Sequence, residues 1–170
     1  MGTTVTAAAV LGTDLFVAQV GDSRGYLLRA GRLVQITKDQ SLVNQLIETG
    51  QLSSEEAAAF EHTNIILQAL GTTTDVAVDL THVSLRRGDV LLLCSDGLSG
   101  LVPAEELENV FNEETDPARI GQILIDLAKA SGGHDNVTVI LANFDGDGLA
   151  APAVAPDGDA DAPRYEPYPL

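Results

Sequence analysis

The stretch Asp89-Val90-Leu91-Leu92-Leu93-Cys94-Ser95-Asp96-Gly97 contains an unbroken apolar run that ends in an acidic glycine turn. A short continuous apolar run bounded by turn residues predicts a buried strand. Gly97 leaves space for a tight turn directly after Asp96. The sequence therefore predicts a carboxylate that is held rigidly at the end of a core strand.

Two further aspartates stand in similar turns beside apolar runs, in Gly21-Asp22-Ser23-Arg24 and in Gly132-Gly133-His134-Asp135-Asn136. Carboxylates are the ligands that Mg²⁺ and Mn²⁺ prefer, because these hard cations bind oxygen donors. One hypothesis is that Asp22, Asp96 and Asp135 share a metal site at one edge of a sandwich. The alternative is that each aspartate only makes local backbone hydrogen bonds in its own turn.

Hydrophobic periodicity predicts an α+β fold with antiparallel sheet covered by helices. The first four predicted strands follow one another closely and are expected to form a β-meander. Helical spacing begins near Leu42, again after Pro103, and most clearly after Asp116-Pro117. The predicted strands are Thr4–Val10, Asp14–Val20, Gly25–Arg29, Arg32–Ile36, Val76–Val83, Asp89–Cys94 and Val137–Phe144.

Composition limits the class of protein and its partners. The chain has 170 residues and 45% hydrophobic content, which is sufficient for one domain with a core. Its net charge of −16 is unfavourable for binding nucleic acid or an anionic membrane. It contains neither an apolar run of membrane-spanning length nor the pattern of a signal peptide, so we expect a cytoplasmic protein without nucleic-acid or membrane partners.

Cys94 raises the alternative of a thiol-based phosphatase, since it lies at a strand end before a turn. Such chemistry needs a low-pKa thiolate and an arginine in the next loop, but the residues 95–100 contain no arginine. Aspartyl-phosphate chemistry would place a second aspartate two residues after Asp96, where Leu98 stands. A buried structural thiol is the favoured interpretation of Cys94.

Taken together, the three aspartate turns and three further segments resemble the type-2C (PPM-type) metal-dependent Ser/Thr protein phosphatases. The further segments are Gly2-Thr3-Thr4, Thr37-Lys38-Asp39-Gln40-Ser41 and Leu67-Gln68-Ala69-Leu70-Gly71. Each motif is weak alone, but their order is specific, and the resemblance spans about Gly2 to Phe144. It implies a two-layer antiparallel β-sandwich flanked by helices, with two Mn²⁺ or Mg²⁺ ions at one edge.

The resemblance also implies roles for individual residues. Asp96 and Asp135 match metal-binding aspartates of the family's last two motifs. Asp22 matches an aspartate that, together with the Asp96 equivalent, can hold a third ion in bacterial members. Asp39 belongs to a motif that usually has His where Gln40 stands, and it is not taken as a ligand. The attacking group is a metal-bound water, so neither a catalytic side chain nor a further cofactor site is expected.

The family's two opening motifs, one with a phosphate-binding Arg and an acidic ligand and one with a bridging Asp-Gly, are absent from this sequence. The resemblance therefore implies the C-terminal two-thirds of such a domain, weakly active alone and with exposed strand edges. The implied substrates are phosphorylated proteins, either targets of a Ser/Thr kinase or an anti-sigma antagonist. The rival hypothesis is a catalytically inactive phosphatase-like module that regulates or binds phosphoproteins.

The expected organisation is a partial phosphatase domain over residues 1–146, followed by a tail over 147–170. By resemblance, the residues 41–75 form a mobile flap beside the active site. The tail is rich in proline and aspartate, so its composition predicts disorder. Truncation after Gly148 is accordingly expected to leave the thermal stability almost unchanged.

Overall fold

The computed structural model describes residues 1–58, 60, 65–153 and 161–169. Within these residues, seven strands form two antiparallel sheets, one with the order β1-β2-β5 and one with the order β4-β3-β6-β7. The strands are β1 Val5–Leu11, β2 Asp14–Val20, β3 Arg24–Arg29, β4 Arg32–Gln35, β5 Asp79–Ser84, β6 Asp89–Cys94 and β7 Val139–Phe144. The helices are α1 Leu42–Glu48, α2 Ser54–Ala58, α3 Asp96–Ser99, α4 Ala104–Glu113 and α5 Pro117–Ala130.

This arrangement confirms the α+β class and the two-layer antiparallel sandwich with flanking helices. The predicted β-meander is wrong at one point, because β2 and β3 belong to different sheets. Gly21 lies between them with a φ of 107°, in a conformation that favours glycine. A Cβ at Gly21 would also collide with the Thr4 side chain. The chain therefore crosses between the sheets at the turn that carries Asp22.

Strand β6 lies inside the four-stranded sheet and is buried on both of its faces. Leu91 and Leu93 pack into the cluster between the two sheets, together with residues of β2 and β5. Leu92 and Cys94 pack on the opposite face, in the cluster that includes α4 and α5. Alternate side chains of a strand point to opposite faces, which explains why this strand needs a continuous apolar run.

The α5 helix covers the four-stranded sheet and begins as its sequence predicts. The Asp116 carboxylate accepts a hydrogen bond from the Ala118 amide at 3.0 Å, and Pro117 occupies the first turn. Ile120, Leu124 and Ala128 form its buried stripe. The capping aspartate and the apolar stripe together fix the helix against the outer face of the sheet.

The β1 strand is an open edge in the part of the chain that the structure describes. It pairs with β2 on one side, and nearly all of its side chains are exposed. Val10 and Leu11 are 47% and 66% exposed. This agrees with the expectation of exposed strand edges, which are templates for pairing with another chain.

Described residues beyond 146, in the segment that is expected to be a disordered tail, make specific contacts with the sheets. Leu149 packs against the cluster between the sheets. Arg87 donates hydrogen bonds to the carbonyl oxygens of Asp147 and Leu149 at 2.9 and 3.2 Å. Residues 166–168 pair with β5, where the Tyr168 amide donates a hydrogen bond to the Leu80 carbonyl oxygen. Composition alone missed these specific contacts.

Within the described residues, every helix is too short or too polar to cross a membrane.

Candidate metal edge of the sandwich

Asp22 follows β2 in a loop that is shaped by a buried amide. The Gln19 side chain is 1% exposed and donates hydrogen bonds to the carbonyl oxygens of Gly21 and Ser23. Its own carbonyl oxygen accepts a hydrogen bond from the Thr6 hydroxyl at 2.6 Å. Sequence reasoning missed Gln19, although a glutamine at an inward position of an apolar strand was a usable signal.

Asp96 follows β6 and begins the short α3 helix. Its carboxylate accepts a hydrogen bond from the Gly97 amide at 3.0 Å, and the side chain is otherwise exposed. Ser95 precedes it in an extended conformation and ends the strand. The carboxylate thus stands where the core strand reaches the edge of the sandwich, as the sequence predicts.

The loop of Asp135 lies directly beside that of Asp96, because Ser95 joins the two. The Ser95 hydroxyl donates to the Asn136 carbonyl oxygen at 3.0 Å and accepts from the Thr138 amide at 3.0 Å. Asp135 itself is exposed and accepts a hydrogen bond from the Asn136 amide at 2.6 Å. The two turns are adjacent through their backbones, while the Asp135 carboxylate caps its own turn.

Asp22 and Asp96 are brought together on the wall of one cavity of about 420 Å³. Asp135 is not among the residues that line it. Throughout the described ranges, no three His, Cys, Asp or Glu side chains converge closely enough to hold a metal ion. The three predicted aspartates therefore divide into a pair that shares a cavity and a neighbour on the adjoining loop.

The electrostatics of this pair fit a cation. Burial raises the pKa of the Asp22 carboxyl above its ordinary value, and the negative charges of Asp96 and Asp39 raise it further. The negative charge of Asp96 on the same cavity therefore disfavours the ionised form of Asp22. A bound divalent cation would relieve this repulsion, and two carboxylates supply oxygen ligands of the type that Mg²⁺ and Mn²⁺ prefer.

Asp39 lies on the same cavity but is already engaged by other side chains. The Arg24 guanidinium donates to both of its oxygens, with distances of 2.7 to 3.1 Å. The Gln35 amide donates to it at 2.9 Å. Sequence reasoning missed Arg24, whose position two residues after Asp22 was the available signal. This ion pair fixes the floor of the cavity and leaves Asp39 poorly placed to serve as a ligand.

The segments that carried the family resemblance are hydrogen-bonded to one another. The Leu67 amide donates to the Gln40 carbonyl oxygen at 2.7 Å, and Thr3 and Leu70 exchange two backbone hydrogen bonds. The Gln40 side chain accepts from the Gly21 amide at 2.8 Å. Residues distant in sequence therefore meet beside the turn of Asp22.

Part of the cavity lining is apolar and comes from the first part of the expected flap. Val43, Ile47 and Ala57 of α1 and α2 contribute to the lining. The Asn44 side chain donates to the Asp39 carbonyl oxygen at 2.9 Å, which ties α1 to the floor. Residues 59 and 61–64 of the expected flap lie outside the described residues.

Cys94 is buried and its thiol is unreactive, in agreement with the favoured interpretation of Cys94 as a buried structural thiol. Burial raises the pKa of its thiol to about 11. The thiolate is the reactive form, so little of it exists at neutral pH. We predict that Ellman's reagent fails to label the native protein at pH 7.5, and labels one thiol rapidly in 6 M guanidinium chloride. Fast labelling of the native protein would contradict this burial.

Comparison with known proteins supports one family. The sequence profile described as Protein phosphatase 2C matches residues 1–46. The chain is 43% identical over 145 residues to the serine/threonine phosphatase stp of Listeria monocytogenes, covering 85% of this chain and 58% of that protein. It also superimposes on the Mycobacterium tuberculosis serine/threonine phosphatase PstP with a TM-score of 0.81 and 43% identity, covering 86% of this chain and 61% of that structure. The chain belongs to the protein phosphatase 2C family.

The chain spans less than two-thirds of the length of these phosphatase 2C relatives. A second structure, of the catalytic domain of PstP in complex with two manganese ions, matches with a TM-score of 0.75 and 44% identity over 84% of this chain. The sandwich fold is thus shared with phosphatases of known structure, over the part of the fold that this chain contains.

Gly97 keeps the two aspartate loops of this phosphatase 2C fold in contact. A Cβ at Gly97 would collide with the Asn136 carbonyl oxygen, which is backbone and must shift to make room. We predict that Gly97→Ala separates the loops of Asp96 and Asp135 and lowers the melting temperature by several degrees, a loss of about 1–3 kcal/mol. Gly146→Ala is the matched control, because a Cβ there meets nothing within 4 Å. Equal melting temperatures for the two variants would contradict the close approach.

Proposed function

We propose that this chain is part of a metal-dependent protein serine/threonine phosphatase, which hydrolyses phosphoserine and phosphothreonine esters in proteins. The observation that carries the proposal is the shared fold and 43% identity with named serine/threonine phosphatases over most of the chain. The cavity that brings Asp22 and Asp96 together stands at the edge where such a site would lie. The same relatives favour an enzyme over an inactive phosphoprotein-binding module.

The metal centre is proposed to use Asp96 and Asp135 as ligands of two ions and Asp22 as a ligand of a third, with Mn²⁺ or Mg²⁺ as the cation. The fit is partial, because only Asp22 and Asp96 share the cavity. An octahedral Mg²⁺ site on one or two carboxylates retains most of its waters and binds weakly. In phosphoryl transfer, divalent cations supply water activation and neutralise phosphoryl oxygens.

The chain's own side chains are proposed to bind the cations and to orient the substrate polypeptide. Asp22 and Asp96 provide negative charge at the cavity wall, and the Arg24–Asp39 pair keeps the floor in place. The apolar wall formed by Val43 and Ile47 offers a surface for the polypeptide around a phosphorylated residue. The residues 41–75 thereby act as the flap that contacts the substrate protein.

The protein is proposed to act in the cytoplasm in signalling by dephosphorylation, on substrates of a Ser/Thr kinase or on an anti-sigma antagonist. The net charge of −16 disfavours nucleic acid and anionic membranes as partners. It also disfavours phosphoprotein substrates at long range unless cations neutralise the site. The phosphatase activity should accordingly require divalent cations, whatever the composition of the buffer.

A chimera tests the proposed activity. The opening segment of the Listeria monocytogenes relative, ahead of the region shared with this chain, is joined to Gly2. With Mn²⁺ present, we expect this chimera to release phosphate from phosphoserine and phosphothreonine peptides, and much more slowly from the matched phosphotyrosine peptide. A folded chimera that binds Mn²⁺ but hydrolyses none of these peptides would refute the proposed function and favour the binding module.

A further inference from the structure

The residues 161–169, here called the strap, begin beside Arg29 and Arg86 and pair through residues 166–168 with the outer edge of β5, in the manner of an added strand. The Tyr168 amide donates to the Leu80 carbonyl oxygen at 2.7 Å, and the His82 amide donates to the Glu166 carbonyl oxygen at 3.2 Å. These bonds run in both directions between the two segments, as in an antiparallel ladder. The strap therefore satisfies backbone groups of β5 on the side that faces away from β2.

The central residue of this pairing is a proline, and its position suits an edge. Pro167 lies opposite Thr81 in an antiparallel bridge. The neighbouring Glu166 amide donates to the Thr81 hydroxyl at 3.2 Å, and that hydroxyl donates to the Glu166 carbonyl oxygen at 2.9 Å. Alternate residues of a strand direct their backbone groups to the same neighbouring strand. Pro167 has no amide hydrogen, but an amide at this position would point to solvent and not to β5. This composition allows pairing with β5 while preventing further pairing on the outer side.

Two tyrosines anchor the strap to the three-stranded sheet. The Tyr165 hydroxyl donates to the Asp79 carboxylate at 2.7 Å. The Tyr168 ring stands edge-on to Phe16, with centroids 5.4 Å apart, and lies 5.9 Å from the His82 ring. Asp79 is the first residue of β5, where the chain returns to the sheet after the residues 41–75. The strap is therefore attached close to the base of that segment.

A charge cluster holds the beginning of the strap. The Asp161 carboxylate accepts hydrogen bonds from the Arg86 guanidinium at 3.0 and 3.1 Å, and its carbonyl oxygen accepts one from Arg29 at 2.8 Å. Burial opposes ionisation of Asp161, but the Ala153 amide and the two arginines outweigh it and lower the pKa of the carboxyl. The strap thus carries the charge that complements the arginines at this end of the sheet.

We propose that the outer edge of β5 is a peptide-binding surface of the strand-addition type, and that its occupant is this chain's own segment Asp161–Pro169. An extended peptide gains affinity on such an edge from backbone hydrogen bonds and specificity from alternate side chains. Here the tyrosines and Asp161 supply the specificity. The strap closes an edge that would otherwise be open to a second chain. This inference is independent of the proposed phosphatase activity.

Amide hydrogen exchange on the full 170-residue protein, measured by NMR, tests the strap. The amides of His82 and Tyr168 report on it directly, because both donate across the strap–β5 interface. We expect both to exchange at least about tenfold more slowly than in an unstructured peptide. The double variant Asp161→Asn, Tyr165→Phe should remove most of this protection and leave that of the β3–β6 ladder unchanged. Glu113→Gln, an exposed substitution on α4, is the control.

Three outcomes would overturn the proposal. The first is unprotected His82 and Tyr168 amides in the unaltered protein. The second is unchanged protection in the double variant while the control behaves as expected. The third is protection that rises with protein concentration together with a dimer in sedimentation, which would make a second copy the occupant.

A truncation adds a measurement that does not depend on side-chain substitution. Removing the residues after Gly148 deletes the strap and its contacts with Arg29 and Arg86. We predict a melting temperature lowered by more than about 4 °C, on the order of 1 kcal/mol for a domain of this size. An unchanged melting temperature would contradict the packing of the strap and restore the expectation from composition.

Discussion

Asp89→Ala is expected to destabilise the protein by about 3–5 kcal/mol, because it removes the buried counter-ion of Arg29 and leaves it only the Asp161 carboxylate at 3.5 Å. The Asp89 side chain is fully buried, and that of Arg29 is 5% exposed. The carboxylate accepts from the Arg29 guanidinium at 3.0 and 2.8 Å and from the Arg86 amide at 2.8 Å. All of these donors would lose their acceptor at once. Chemical denaturation followed by circular dichroism measures the change.

A surface pair provides the matched control for this prediction. Lys38 and Glu48 lie 2.7 Å apart, with side chains that are 40% and 45% exposed. Exposed pairs contribute about 0–1 kcal/mol, so Glu48→Gln should hardly change the denaturation midpoint. If Asp89→Ala also shifted the free energy of unfolding by less than about 1 kcal/mol, the stabilising role assigned to the buried Arg29–Asp89 pair would be wrong.

Asp96→Asn is expected to reduce the Mn²⁺-dependent activity of the chimera by at least about 100-fold. Neutralising a ligand weakens both the binding of the ion and the activation of water by that ion. Steady-state hydrolysis of a phosphothreonine peptide measures the loss. Asp126→Asn, an exposed substitution on α5, is the control. Activity of Asp96→Asn equal to that of the control would refute the assignment of Asp96.

Asp22→Ala in the same chimera separates the third ion from the other two. Asp22 is assigned only to the additional ion, so calorimetric titration should still detect two bound Mn²⁺ ions while turnover slows. Loss of all bound Mn²⁺ would show instead that Asp22 is a ligand of the principal centre or a structural requirement of its loop.

Local patterns were sufficient for much of the fold. The run from Val90 to Cys94 predicts a core strand because a strand buried on both faces has no polar positions. Asp116-Pro117 predicts the start of α5 because capping is a local interaction. Both predictions depend only on neighbouring residues, and the structure confirms both.

Long-range pairing accounts for the errors and omissions. The chain changes sheets at Gly21, which periodicity within β2 and β3 does not encode. The roles of Gln19 and Arg24 depend on partners that only the folded sandwich brings near.

Long-range contacts of the C-terminal tail are likewise not predictable from its composition. Its composition predicts disorder because it is rich in proline and aspartate. Asp161 and Tyr165 instead hold the described part through specific charge pairs and hydrogen bonds. Sequence composition does not report whether complementary arginines stand on a nearby sheet.

The most direct measurement of the central claim compares initial rates of phosphate release in Mn²⁺ by the 170-residue chain and by the chimera. The account predicts that the chain alone hydrolyses p-nitrophenyl phosphate barely above buffer, because its cavity combines only two of the expected carboxylates. It predicts strong Mn²⁺-dependent hydrolysis by the chimera. Robust Mn²⁺-dependent activity of the chain alone as a monomer, abolished by Asp135→Asn, would contradict it.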